Sequence, residues 1–261
     1  MYFMKKTLIA LAVAASAAVS GSAMAWTANG TGGSVDLGGS LTPVDKVTPW
    51  ETKVGKPVSD LDAQIQKGQT TVDITVRTAI PILGIRTIES TPFQGRAGVT
   101  PQINFGNAVN LDAFNGGRAP LTLEVKGAND AKIGTLTSSL SAGSETSYSN
   151  MNGAEKFLTI AERPGDAFWG GLPKSVNAMH DNPWQLVNNI SSEFVQNYND
   201  QNGVVGESGR DVFDKPSCLY SSFYGSGIEQ GQTIKITLDR PASGNDQIHW
   251  KASLPVIVTY A

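Results

Sequence analysis

The sequence predicts an all-β sandwich, and three observations carry that expectation. Short runs alternate apolar and polar residues with a period of two, as strands that bury one face do. Proline and glycine interrupt those runs at the spacing that turns require. With 28 Gly, 13 Pro and 16% charged residues, the composition suits many short strands.

The chain opens on Met4-Lys5-Lys6-Thr7, a basic start, followed by the apolar run from Leu8 to Val19 and the small-x-small motif Ala23-Met24-Ala25. Together they read as a secretory signal over residues 1–25, so the exported chain is expected to begin at Trp26. The apolar run is about half of the ~20 residues a membrane helix needs, and no later segment comes close. Removing 25 residues from 261 leaves 236, enough for one large or two small domains. Lys5 and Lys6 go with the signal, leaving 18 basic against 23 acidic residues and a formal charge of −5. A mildly acidic chain without a Lys/Arg cluster offers no footprint for nucleic acid or anionic lipid.

The segment 26–42 is rich in Gly, Ser and Thr and has too few apolar residues for a core of its own. Val35, Leu37, Gly39 and Leu41 nevertheless fall on one face of an extended strand, with Asp36, Gly38 and Ser40 on the other. This pattern reads as an edge strand, as a leader, or as a strand lent to another molecule.

From Thr70 onward the strands follow one another. Val72, Ile74 and Val76 alternate with polar residues, as do Leu121, Leu123 and Val125, and again Ile234, Ile236 and Leu238. Pro81, Pro92, Pro101, Gly106, Gly116-Gly117 and the stretch Gly127-Ala128-Asn129-Asp130 mark the breaks. The glycine-rich stretch from Gly225 to Gly231 reads as a turn feeding Thr233 to Leu238. Trp250 to Ala261 reads as a terminal strand with Leu254, Val256, Val258 and Tyr260 on one face. Because it runs to the last residue, its edge is expected to be covered by something other than a following strand of this chain.

One stretch follows another period. Asn182-Pro183 supplies a cap and a proline suited to the first helical turn. Leu186, Val187, Ile190, Phe194 and Val195 then recur at helical spacing, predicting an amphipathic helix that stops before Gly203. A shorter helix is expected over Ala154 to Ile160. An immunoglobulin-like sandwich needs only ~100 residues, so there is room for an inserted subdomain at about residues 143–217. The absence of a dividing linker favours a single domain over residues 43–261.

Catalytic chemistry finds little support. His180 and His249 are the two histidines, and neither stands near a nucleophile elbow. Asp60 with Asp62 and Asp211 with Asp214 lack the glycine-centred continuation of a calcium loop. No enzyme activity, metal or cofactor is expected. Cys218, the single cysteine, allows no internal disulfide and reads as a small buried hydrophobe.

The aromatic residues of the insertion invite a binding reading. Phe168-Trp169-Gly170-Gly171, Trp184, Tyr198, Tyr220 and Phe223-Tyr224 lie among many Asn, Asp, Gln and Ser residues. Sugar sites combine an aromatic face with a few placed polar groups; the alternative is that these rings pack as the insertion's own small core. On the first reading Trp169 and Trp184 are candidate glycan-binding residues, with Asp181 and Asn182 as hydroxyl partners.

An ordered series of motifs resembles the chaperone-usher fimbrial subunits of the kappa class, whose major subunit is both shaft and adhesin. It comprises the leader, Ser34 to Leu41, Trp50-Glu51-Thr52-Lys53-Val54-Gly55, Pro81 to Thr87, Phe168-Trp169-Gly170-Gly171-Leu172-Pro173, Gly227 to Ile234, and Pro255 to Tyr260. The resemblance implies an incomplete immunoglobulin-like sandwich completed by donor-strand exchange. Val35, Leu37, Gly39 and Leu41 would be the donated row, and Leu254, Val256, Val258 and Tyr260 the strand paired first with a periplasmic chaperone. An outer-membrane usher, neighbouring subunits and host glycoprotein or glycolipid glycans are the implied partners, and the cell-surface fimbrium the implied destination. The rivals are a minor or accessory subunit, and a free secreted carbohydrate-binding protein that keeps its N-terminal strand in its own sheet. Concentration-dependent polymerisation would separate the subunit from the free lectin.

Overall fold

The structure, a computed structural model, describes residues 28–31, 34–35, 37–42 and 47–261. The signal motif over residues 1–25 lies outside them, as do Asp36 and a few other positions of the segment that follows. The chain divides into two units, residues 1–45 and 46–261. In the first, no described residue belongs to a strand. Val35, Leu37 and Leu41 are exposed there at 75%, 94% and 98%.

The second unit carries strands β1 (Trp50–Val54), β2 (Thr71–Thr75), β3 (Ile80–Thr87), β4 (Phe93–Gln94), β5 (Pro101–Asn104), β6 (Arg118–Lys126), β7 (Lys132–Asn150) and β8 (Gly153–Leu158). Helix α1 (Pro183–Ile190) follows, and then β9 (Val204–Val205), β10 (Leu219–Ile228), β11 (Thr233–Leu238), β12 (Lys251–Ala252) and β13 (Ile257–Tyr260). The all-β expectation with a small helical insertion therefore holds. One sheet runs β1-β3-β10-β7-β11-β2, with β6 and β8 also pairing β7, and β13 pairs β5 in a separate ladder.

Strand β7 organises the fold. At 19 residues it is far longer than the usual five or six. Its first half, up to Ser141, pairs β6 and β11, while its second half pairs β10 and β8. A single strand thus carries the ladder from one layer of the sandwich to the other. Leu136 and Leu140 from the first half share a core with Leu83 and Ile85 of β3 and with Tyr220 and Tyr224 of β10.

Aromatic rings fill one end of that core. Trp50 packs edge-on against Phe93 and Phe168 at 5.1 and 5.8 Å, and its Nε1–H donates to the Val99 carbonyl at 2.6 Å. Phe168 and Phe213, both from the insertion, lie fully inside this cluster. Both adopt positive φ, 60° and 55°, which is strained for bulky residues. The Phe168 N–H donates to the Pro101 carbonyl and the Phe213 N–H to Asp211 Oδ1, which hold the two backbones in place. The rings named in the sequence therefore divide: Phe168, Tyr220 and Tyr224 belong to the main core, while Phe223 and Tyr198 join a second cluster.

That second cluster forms where α1 docks on the outer face of the sheet. Leu186, Val187, Ile190, Phe194, Val195 and Phe223 are buried together. Along β10 the residues alternate accordingly, with Tyr220, Tyr224 and Ile228 facing the main core and Phe223 facing the helix. The helix comes close because its floor is glycine. A Cβ at Gly225 would overlap Val187, one at Gly84 the Phe194 ring, and one at Gly227 would meet Ile190 Cγ2 at 2.6 Å.

Four local expectations are corrected. Residues 154–158 lie in strand β8 instead of a helix, because a tight turn at Asn150 to Gly153 returns the chain along β7 and sets Phe157 against Tyr148 at 6.2 Å. Gly225 to Ile228 belong to β10, their glycines serving the helix contact and not a turn. The predicted long helix ends at Ile190 and is followed by a 3-10 turn, Ser192–Phe194, which delivers Phe194 onto Gly84. The terminal strand is divided at Pro255, which packs on Gly106 and has no N–H to give a ladder. Its alternation survives the break: Leu254, Val256, Val258 and Tyr260 are half-buried against the core, while Ser253, Pro255, Ile257 and Thr259 are exposed. Cys218 is buried and free, as expected.

The glycine floor yields a test. Val187 is β-branched and stiff at χ1, so it cannot swing away from an added methyl. Gly225→Ala should cost about 1–3 kcal/mol and lower the thermal unfolding midpoint of the purified protein. Gly209→Ala, where an added Cβ meets only ordinary contact, should leave the midpoint unchanged.

Candidate functional site

The entry to α1 borders a cavity of about 810 Å³. Asn182 caps the helix, its Oδ1 accepting from the Gln185 N–H at 2.9 Å. The Asn182 N–H in turn donates to His180 Nδ1 at 3.0 Å, which fixes the turn before the helix. Pro183 holds the first turn, and its Cβ packs where a side chain at Gly143 would sit. With Leu186, Val187 and Ile190 committed to the sheet, Trp184 is left on the outer side at 38% exposure. Asp181, Asn182 and Trp184 therefore line the same cavity.

The opposite wall comes from β7, β8 and the polar stretch 197–202. Glu145 accepts from the Tyr198 hydroxyl at 2.8 Å, and Lys156 pairs with Asp200 at 2.8 Å. Asn197 and Asn199 tie this stretch to the loop after β3, donating to the carbonyls of Thr87, Ile88 and Ser90. Gln201 and Asn202 take left-handed backbone angles to complete the turn. Burial pushes the Glu145 carboxyl above its ordinary pKa, partly offset by the Tyr198 hydrogen bond. Burial, with the Glu145 charge beside it, also raises the Tyr198 phenol strongly. The hydrogen bond from Lys156 lowers Asp200 and raises Lys156 in return. The cavity thus sets a half-exposed indole across from carboxylates, amides and a phenol held in place by one another.

Trp169 lies elsewhere. It borders a second cavity of about 370 Å³ with Ile103, Asn107 and Ile257. Its backbone pairs with β5, the Ile103 N–H donating to the Trp169 carbonyl at 2.7 Å. Lys174 sits over its ring at 5.5 Å and also pairs with Asp112. The structure therefore brings Asp181, Asn182 and Trp184 together and does not bring Trp169 to them. Glu145, Lys156 and Asp200 were not singled out in the sequence, because only the register of β7 against β8 and the course of 197–202 place them there.

The terminal strand offers a different kind of site. Residues 257, 259 and 261 face β5 with their hydrogen-bonding groups, as the paired bonds between Ala261 and Thr100 fix. The N–H and C=O of Val258 consequently point to the other edge, where no described strand pairs β13. Among the described residues, no group of His, Cys, Asp or Glu is arranged to hold a metal ion.

Comparison with known proteins places this architecture. Residues 4–261 match a K88-type family described as fimbrial, major and minor subunit. K88 fimbrial protein AB of Escherichia coli is 33% identical over 98% of this chain and 100% of its own length. K88 fimbrial protein AC of Escherichia coli is 32% identical over 98% and 100%. The F41 fimbrial protein of Escherichia coli is 29% identical over 99% and 100%.

The burial of Glu145 gives a prediction with a definite sign. A carboxyl whose pKa is raised in the fold contributes stability that is full below the ordinary carboxylate pKa and lost as pH rises through the raised value. Glu145→Gln keeps an acceptor for Tyr198 and removes this titration. The variant should unfold at a higher temperature than the parent at pH 7, with the gap narrowing towards pH 4; a gap that does not change with pH would contradict the assignment.

Proposed function

The chain belongs to the K88-type family of fimbrial major and minor subunits, and from that premise we propose that it polymerises by donor-strand exchange and presents a glycan-binding cavity on each copy. Membership makes it a structural subunit exported to the cell surface as part of a fimbrium. The finer reading rests on one observation: two apolar rows of matching period in one chain. Leu254, Val256 and Val258 are half-buried beside an edge that pairs no described strand, and Val35, Leu37 and Leu41 are exposed at the same period-two spacing.

Strand addition joins such rows through main-chain hydrogen bonds and alternating side chains. Burying Val35, Leu37 and Leu41 is worth roughly 1.5–3 kcal/mol each, with Gly39 leaving room where the strands approach. Each subunit would donate at one end and accept at the other, a head-to-tail relation that generates open filaments. Before assembly a periplasmic chaperone would occupy the 254–260 edge, and an outer-membrane usher would exchange it for the neighbour's segment. A junction of this kind opens very slowly.

The adhesive reading places host glycans in the cavity of Asp181, Asn182 and Trp184. Trp184 supplies an aromatic face while the amides and carboxylates opposite suit sugar hydroxyls. Affinity per site would be weak, and repetition along the fibre would raise avidity through effective concentration. Trp169, bordering a separate cavity, is a weaker candidate for the same ligand.

Deleting residues 26–41 should leave the chaperone-bound subunit soluble while preventing fibres, and Leu37→Arg should reproduce the assembly defect. Fibres of normal length from either variant, seen by electron microscopy, would rule out the donor role. For the adhesive role, Trp184→Ala should assemble normally, since the buried face of α1 is intact, and lose at least tenfold in binding to a glycan array. Unchanged array binding by those fibres would remove the cavity from adhesion.

A further inference from the structure

The charge of the α1 cavity restricts what it can hold. Three carboxylates, Glu145, Asp181 and Asp200, stand on its lining, and Lys156 is the cation among the lining residues. Lys156 is already held by Asp200 at 2.8 Å. Among the described residues, neither Glu145 nor Asp181 takes part in an ion pair. Tyr198 spends its hydroxyl on Glu145, so that donor is also engaged.

We infer that this cavity selects uncharged glycan termini and rejects those bearing a carboxylate or a sulfate. The inference rests on the glycan reading of the cavity given above. An anionic terminus placed against Trp184 would meet Asp181 on the helix side and Glu145 on the sheet side, and the described lining residue that could receive it, Lys156, is already paired with Asp200. The same carboxylates accept hydrogen bonds from neutral hydroxyls, and Asn182 and Asn199 add amides to the same rim. Repulsion by carboxylates a few ångströms away at a partly solvated site corresponds to a penalty on the order of tenfold in affinity. Salt should weaken this discrimination, because the mouth of the cavity is open to solvent.

The test uses assembled fibres on a glycan array built from matched pairs, each a neutral oligosaccharide and the same oligosaccharide carrying terminal sialic acid or sulfate. The neutral member of each pair should bind about tenfold more tightly, and Asp181→Asn fibres, altered only at an exposed position, should narrow that ratio. Equal or tighter binding of the anionic members by the parent fibres would overturn the inference, even where Trp184→Ala abolishes binding and so upholds the cavity. Neutral binding that survives Trp184→Ala unchanged would overturn the glycan reading and the selectivity with it.

Discussion

A sandwich needs both faces of its core covered, and Leu254, Val256 and Val258 are the row through which the last strand of this chain contributes to that cover. The side chains reach the core, and among the described strands β13 pairs with β5, on one side. Pro255 prevents a continuous ladder along β12 and β13, yet the alternation of burial continues across it. On the proposed reading, assembly is the completion of folding. The apolar area that stabilises the fibre is the area the isolated subunit lacks, which links yield, solubility and polymerisation to one edge.

The insertion is built on a second constraint, the close approach of α1 to the sheet. Glycine at 84, 225 and 227 removes the side chains that would hold the helix away. Leu186, Val187, Ile190 and Phe194 can then be buried, and Trp184 is turned outward by the same geometry. Phe168 and Phe213 enter the main core, held at strained backbone angles by hydrogen bonds to Pro101 and Asp211. The insertion and the sandwich therefore share a core.

Strands β2, β6 and β11 were legible in the sequence because each buries one face, which imposes alternation. Strand β10 was not, because it is covered on both faces. Its residues show no apolar-to-polar alternation, and Gly225 and Gly227 imitate a turn while in fact admitting a helix. Helix α1 is legible from its cap and spacing, but its end is not, since Phe194 keeps the helical spacing while it sits in a separate 3-10 turn packed on Gly84, far away in sequence. The same limit applies to the site. Asp181, Asn182 and Trp184 are neighbours in the chain and could be grouped from it, whereas Glu145 meets Tyr198 only through strand register and helix docking. Trp169 looked equivalent to Trp184 as an aromatic beside polar residues, and it differs because its backbone is committed to β5.

On the proposed reading, the segment around Leu37 of one subunit lies along the edge of β13 in the next. A photo-crosslinking side chain at position 37, in fibres assembled from isotopically heavy and light subunits, probes that placement. Mass spectrometry of the digested fibres should find crosslinks from that position to the peptide spanning Leu254 to Tyr260, with heavy and light chains joined. Crosslinks confined to a single chain, or directed elsewhere on the subunit, would contradict the account.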